Sequence, residues 1–333
     1  MSNRQTSPNR VHMLAHANPL APDAARFKMS VQEYVAFARE HLPRPLRLTC
    51  NMKIMAAIEN ERRGGRTDDA LRIRDIQNAI DDPRTLAIVA ASGGAYLSRI
   101  LPHLDLSRLT RRRTPLWTLG FSEMSTLVGW VASYKCGRGL YWLCPNWLGS
   151  NIRPVEAARD ALAEYWRTLP EIFAGQTPER PRHLYFAPLH GAVVNGRVKS
   201  GRIRLVGGCL AVLAAVVGGP LGRLLRPDRK WLMLEDLKET PYRIDRHLAA
   251  MKLAGWFDRA AGVLIGDFHN LHEDTQPAVL ELLKYHLPPQ RRLPVIITKS
   301  FGHVWPMSPV PLNRPLQLDV KRGAVTIESL PQR

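Results

Sequence analysis

Cysteine is scarce and unpatterned in this chain. Cys50, Cys136, Cys144 and Cys209 are the only four in 333 residues, no two form a Cys-x-x-Cys pair, and Cys136 and Cys144 flank no histidine cluster at ligand spacing. This argues against a zinc ribbon or a disulfide scaffold, and no metal is expected. An apolar N-terminal run is also missing. The opening MSNRQTSPNR is polar, so neither a secretory signal nor a transit helix is evident and the cytoplasm is the expected compartment. Only one segment, Leu205 to Gly222, is free of charge for nearly the length of a membrane span. Gly207-Gly208 and Gly218-Gly219-Pro220 cut it to a core of about ten apolar residues, which predicts one buried helix of an α/β protein and no span.

Acidic residues are few relative to basic ones, 29 against 47, for a formal charge of +18. Such a field can attract nucleic acid, anionic lipid or acidic polymers. Its clusters, Arg62-Arg63, Arg111-Arg112-Arg113 and Arg291-Arg292, are short and fall in predicted loops. They lack interleaved aromatics and a long basic helix face. The expectation is a solvated basic surface with no dedicated nucleic-acid partner.

What is present is a folded α/β composition, 45% hydrophobic and 23% charged, in a chain long enough for two domains. A short strand is predicted at Val11 to Pro19. Ser30-Val31-Gln32-Glu33 has the form of a capping box and opens a helix that closes at Pro43 and Pro45. A second helix follows Thr67-Asp68-Asp69, with Leu71, Ile73, Ile76, Ala79 and Ile80 along one face. Leu86 to Ala91 is a continuous apolar run of strand length, followed by Ser92-Gly93-Gly94 and a helical pattern through Tyr96, Leu97, Ile100 and Leu101. Leu116 to Leu127 repeats this order of strand, glycine and helix.

The alternation predicts a parallel sheet covered on both faces, with ligands at the carboxyl ends of its strands. Gly93, Gly94 and Ser122 all fall at such ends. A helix is expected at Pro154 to Leu169, then a proline-rich linker over Thr177 to Pro188. Strands follow at Trp231 to Leu234, Gly262 to Ile265 and Val295 to Thr298, with a helix from about Tyr242 to Trp256. A terminal hairpin turns at Lys321-Arg322-Gly323.

A serine hydroxyl needs a histidine base, a carboxylate to orient that base, and N–H donors for the oxyanion. Ser122, Glu235 and His303 each stand where a predicted strand meets a loop. Each also has a plainer reading, as a helix cap, a surface carboxylate and a loop histidine. Ser92 is a rival nucleophile, His190 and His269 are weaker bases, and Asp236 and Glu239 compete with Glu235. Alternation along the strand from Trp231 puts residues 235 and 236 on opposite faces, so at most one should face the serine.

Four blocks carry a resemblance that runs from about Val11 to Ile327. They are TDDALRIRDIQNAIDDPRTLAIVAASGGAYLSRILPHLD, LGFSEMSTL, VGGCLAVLAAVVGGP with WLMLEDLKETPYRIDRHLAAMKLAGWFDRAAGVLIGDF, and PVIITKSFGHVWPMSPVPLN. They resemble the LD-carboxypeptidases, or muramoyltetrapeptide carboxypeptidases, a family that includes the microcin C self-immunity peptidases. The resemblance implies an N-terminal flavodoxin-like α/β domain with a parallel sheet, residues 1–170, holding Ser122. It implies a linker over 171–200 and a smaller C-terminal α/β domain with a β-rich core, residues 201–333, holding Glu235 and His303, with the site between the domains. Ser122 falls on the family's nucleophile, Glu235 on its carboxylate and His303 on its base, and backbone N–H groups of Glu123 and of Gly93 or Gly94 on its oxyanion donors.

The implied reaction is hydrolysis of the L-to-D amide bond before a terminal D-alanine in a murein tetrapeptide, without a metal or organic cofactor, by a protein that forms a homodimer. Met124 stands where a Gly-x-Ser-x-Gly elbow has glycine. Glu123 replaces an aspartate of the family pattern, Ala95-Tyr96 replaces Tyr-Gly, Cys209 an asparagine, and Cys144-Pro145 a Gly-Pro. Cys209 and the altered loop motivate one alternative, a peptidase of microcin C-like aminoacyl or peptidyl-nucleotide conjugates; the positive charge motivates another, a catalytically silent basic binding protein with an anionic partner.

Overall fold

The computed structural model describes residues 7–59, 64–178, 181–270 and 273–329, so the Arg62-Arg63 cluster lies outside the described residues. Two compact units divide the chain. The first comprises Met1–Gly120, Tyr134–Arg138 and Leu143–Leu184; the second comprises Phe121–Ser133, Gly139–Trp142 and Tyr185–Arg333.

In the first unit, β1 (Arg10–Leu14), β2 (Arg47–Thr49), β3 (Thr85–Ala90) and β4 (Leu116–Gly120) form a parallel array in the order β4-β3-β1-β2. Every residue of β4 and all but one of β3 are buried, as expected of parallel strands covered on both faces. The Ser30 capping box forms as predicted: Glu33 N–H donates to Ser30 Oγ at 3.2 Å, and Ser30 N–H to Glu33 Oε2 at 2.7 Å. The helix Asp69–Asp81 buries Ile76, Ala79 and Ile80. It also buries Arg72 completely, whose guanidinium donates to the carbonyls of His16 at 2.6 Å and Tyr96 at 3.1 Å.

The helix expected after Gly94 does not form. Tyr96 has φ 67°, a left-handed conformation that breaks the i to i−4 ladder, and only a short 3-10 turn, Leu101–His103, follows. The helix expected to stop before Pro170 instead runs Val155–Phe173 with Pro170 inside it. Arg112 also departs from the solvated reading. It is half-buried and donates to the carbonyls of Ile80 and Asp82, and to that of Thr85.

The strand β5 (Gly137–Tyr141) ends in the second unit, where Gly139–Tyr141 pairs antiparallel with Val310–Leu312. The main sheet of that unit contains β6 (Leu189–Asn195), β7 (Gly201–Ile203), β8 (Leu205–Cys209), β9 (Trp231–Leu237), β10 (Gly262–Asn270), β11 (Glu273–Asp274) and β12 (Val295–Thr298). After β13 (Val310–Leu312), it is completed by β14 (Leu316–Lys321) and β15 (Ala324–Ser329). Its order is β7-β14-β15-β6-β12-β10-β9-β8, with β11 paired to β10. The quartet β8, β9, β10 and β12 is parallel and the remainder antiparallel. The terminal hairpin turns where predicted, with Arg322 at φ 51° and Gly323 at φ 86°.

Three expectations change here. The uncharged run from Leu205 becomes β8 and two short helices, Leu210–Ala214 and Pro220–Leu225, in place of one buried helix. Gly208 explains the turn into them: at φ 147°, a Cβ there would stand 2.6 Å from Ser125 Oγ. The segment 171–200 is only partly a linker, because β6 lies within it and pairs with both β12 and β15. Residues 121–133 cluster with the second unit because the helix Ser125–Ala132 packs on β8 and on the helices that follow it. With these segments, the second unit is as large as the first.

Candidate active site

β4 delivers the chain to Phe121, in extended conformation, and then to Ser122 at φ 59°. A serine in the left-handed region costs backbone energy, and this strain makes the sharp strand-to-helix corner that lifts a hydroxyl clear of both elements. A 3-10 turn, Ser122–Met124, leads into the helix Ser125–Ala132. Ser125 secures the corner: its Oγ donates to the Ser122 carbonyl at 2.6 Å and accepts the Cys209 N–H at 3.0 Å.

Glu235, near the carboxyl end of β9, has no exposed surface, and His303 is 8% exposed. Glu235 Oε2 lies 2.7 Å from His303 Nδ1. An ionised carboxylate only accepts, so Nδ1 carries the proton and Nε2 presents a lone pair. Gly302, at φ 116°, permits the approach, since a Cβ there would meet Glu235 Oε2 at 3.1 Å. The other oxygen, Oε1, accepts from the Tyr141 hydroxyl at 2.5 Å, and the same phenol oxygen accepts the Ser122 N–H at 3.4 Å. Phe121 lies with its ring 4.9 Å from that of His303 and edge-on to Tyr141. Ser122, Glu235 and His303 therefore share one unit, with Tyr141 and Phe121 between the serine corner and the carboxylate–imidazole pair.

Burial is the largest single influence on His303 and pulls its pKa down. The Glu235 charge and hydrogen bond, joined by Asp236 and Asp267, outweigh it and hold the imidazole above the usual histidine range. Burial and the Glu235 charge push Tyr141 well above the usual phenol range, so it remains a donor. Asp236 is raised to about 7, by burial first and by the neighbouring Glu235 charge second.

The rivals are engaged elsewhere. Asp236 accepts from Ala211 N–H and Leu237 N–H, both at 2.8 Å, so it anchors the turn from β8 into the helix Leu210–Ala214. Glu239 pairs loosely with Arg243 and His247. His190 is exposed, and His269 bonds Asp267 at 2.6 Å. Ser92 is buried in the first unit, where it accepts from Asn146 Nδ2 at 3.0 Å. Gly93 and Gly94 follow β3 in that unit, and Ala95 N–H donates to Ala17 O. Glu123, 7% exposed, begins the turn after Ser122. Among the described residues, no group of three His, Cys, Asp or Glu side chains could hold a metal ion.

Tyr141 and Ser125 escaped the reading of the sequence. The one available signal was a tyrosine inside the apolar strand RGLYW, because a buried phenol needs a polar partner.

A serine on a strained corner beside a buried carboxylate–imidazole pair, within a two-unit α/β chain, has the outline of a hydrolase. Comparison with known proteins gives the family. The LD-carboxypeptidase N-terminal domain matches residues 11–138 and the LD-carboxypeptidase C-terminal domain residues 202–318. The chain is 31% identical over 269 residues to "Putative carboxypeptidase SCO6489" of Streptomyces coelicolor, covering 78% of this chain and 77% of that one. It is 32% identical over 181 residues to the murein tetrapeptide carboxypeptidase of Pseudomonas aeruginosa, covering 53% and 54%. Among solved structures, an MccF-like protein of Bacillus anthracis superposes with a TM-score of 0.70 at 16% identity, covering 98% of each chain, and so shares the fold. The chain belongs to the LD-carboxypeptidase family, a family of peptidases.

Proposed function

We propose that this protein is a serine LD-carboxypeptidase that removes the terminal D-alanine of a murein tetrapeptide. The observation that carries the reading is the buried Glu235–His303 pair, 2.7 Å apart, beside a left-handed Ser122. The name of the Pseudomonas relative supports the substrate. In the proposed reaction, His303 Nε2 takes the hydroxyl proton as Ser122 Oγ attacks the carbonyl carbon of the L-to-D amide. The imidazolium that forms is stabilised by Glu235, which accepts its Nδ1–H. The tetrahedral oxyanion is met by the Glu123 N–H. Collapse breaks the C–N bond, the proton on Nε2 goes to the leaving D-alanine nitrogen, and water, deprotonated by His303, hydrolyses the acyl-serine. We place this activity in the cytoplasm and in a homodimer, as part of the same reading.

A second substrate is favoured by Cys209, buried and bonded through its N–H to the Ser125 that holds the corner. Aminoacyl or peptidyl-nucleotide conjugates of the microcin C type fit this reading, in keeping with the likeness in fold to MccF, the microcin C7 self-immunity protein. The test is mass spectrometry of the purified protein with D-alanine-terminated muropeptides and an aminoacyl-nucleotide conjugate. Loss of one alanine from the tetrapeptide is expected. Cleavage of the conjugate alone moves the assignment to the second substrate, and turnover of neither refutes both.

A further inference from the structure

The proposed chemistry stands at the carboxyl ends of β9, β10 and β12, and leaves the opposite, amino edge of the same parallel quartet unexplained. That edge is basic on every strand. Arg204 precedes β8, Arg229 and Lys230 precede β9, Arg259 precedes β10, and Arg291 and Arg292 precede β12. The loops that carry them touch. Trp231 N–H donates to Arg204 O at 2.9 Å, Arg229 N–H to Arg259 O at 2.9 Å, and Arg291 donates to the Asp258 and Ala260 carbonyls. Lys230 lies close enough to Arg204 for the two charges to repel, an influence second to burial in drawing the lysine's pKa down. Two acids stand among them, exposed Asp258 and Asp228, the latter bonded to Arg226 at 3.0 Å and 3.8 Å from Arg259.

The same edge exposes large apolar side chains. The helices Pro220–Leu225, Pro241–Leu253 and Gln276–His286 each lead the chain back toward the next strand's amino end, so their last turns lie here. Leu224, Leu253 and Tyr285, in those last turns, are 51%, 89% and 76% exposed. Lys252 Nζ reaches the Tyr285 carbonyl at 3.0 Å and His286 Nε2 lies 2.8 Å from Asp245, so the last turn of the helix Gln276–His286 packs along the helix Pro241–Leu253. Cations interleaved with exposed leucines and a tyrosine match the interface of an anionic bilayer, where headgroups meet the charges and apolar tips enter below them. A nucleic acid has no use for exposed leucines, and a single tyrosine is no stacking platform. A second copy of this edge would oppose like charges.

We infer that the amino edge of the β8-β9-β10-β12 quartet is a docking surface for an anionic lipid membrane, which holds the protein peripherally with the opposite edge facing the solution. No helix among the described residues is long and apolar enough to cross a membrane, and this surface requires none.

The test is co-sedimentation with vesicles of phosphatidylcholine containing about 30% phosphatidylglycerol, against pure phosphatidylcholine vesicles and a DNA duplex. Binding to the anionic vesicles that weakens with added salt is expected, with little on the neutral ones. The charge-reversing pair Arg259→Glu and Arg292→Glu should lower partition on the order of 30-fold or more. Leu224→Ser with Leu253→Ser should lower it about tenfold, circular dichroism confirming that both variants are folded. Equal binding to neutral vesicles, or binding unchanged in either variant, overturns the inference. So does a DNA duplex that binds more tightly than the vesicles with an affinity the leucine changes leave intact.

Discussion

Replacing Tyr141 by phenylalanine removes one oxygen from a side chain with no exposed surface. That oxygen donates to Glu235 Oε1 at 2.5 Å and accepts the Ser122 N–H at 3.4 Å. A hydrogen bond to a charged group is worth about 1.5–3 kcal/mol, and Oε1 would lose this donor inside the protein. A stability loss of about 2 kcal/mol is expected from that alone. The phenol also ties the Glu235 carboxylate to the Ser122 N–H, and losing about 1.4 kcal/mol of that alignment is a tenfold fall in kcat. KM should hold, because a fully buried phenol cannot touch substrate.

The sign of the pH effect separates this role from plain destabilisation. Without the phenol donor, Glu235 holds more charge toward His303 and favours the imidazolium, so the acidic limb of kcat/KM should move to higher pH. The assay is steady-state kinetics on the muropeptide across pH, beside a denaturant melt. A Tyr141→Phe protein with unchanged kcat and an unmoved acidic limb, or with raised KM alone, would refute the positioning role.

Ser122→Ala should keep the fold and lose turnover by about four orders of magnitude or more, together with labelling by a serine-reactive phosphonate. Near-normal turnover in that variant with loss in Ser92→Ala would transfer the nucleophile to the first unit. Glu235→Gln should lower kcat by about 10^4 with little change in KM, and should move the acidic limb down, since the charge that raises His303 is gone. Asp236→Asn should leave kcat near normal and act on stability. The folded Asp236 titrates at about 7 against about 3.9 unfolded. The folded state thus binds the extra proton, and the wild type loses stability as pH rises across that window. The Asn variant, measured by denaturant melts, should gain on the wild type between those values. In the wild type, activity should fall on acidification with a midpoint above about 6.5, the ordinary histidine value. A profile flat down to about pH 5 excludes His303 as base.

Much of this protein was legible locally. The Ser30 capping box, the apolar runs of β3 and β12 and the terminal hairpin each rest on a few adjacent residues, and neighbouring residues alone determine caps, strand runs and tight turns. The same reading misjudged the stretch after Gly94 and the run from Leu205. There helical spacing was real, but distant groups decided the backbone. Arg72 takes the Tyr96 carbonyl, and Ser125 lies where a side chain at position 208 would stand.

Residue types and chain order nominated Ser122, Glu235 and His303, but no local pattern could say that they meet. Glu235 is joined to His303 across 68 residues and to Tyr141 across 94. Separations of that kind close only when the sheet assembles, so the carboxylate's partners, the raised His303 and the part played by Tyr141 were decided by the tertiary structure. The basic edge has the same origin. Its arginines are scattered from 204 to 292 in the chain and become one surface because parallel strands bring all their preceding loops to a single edge.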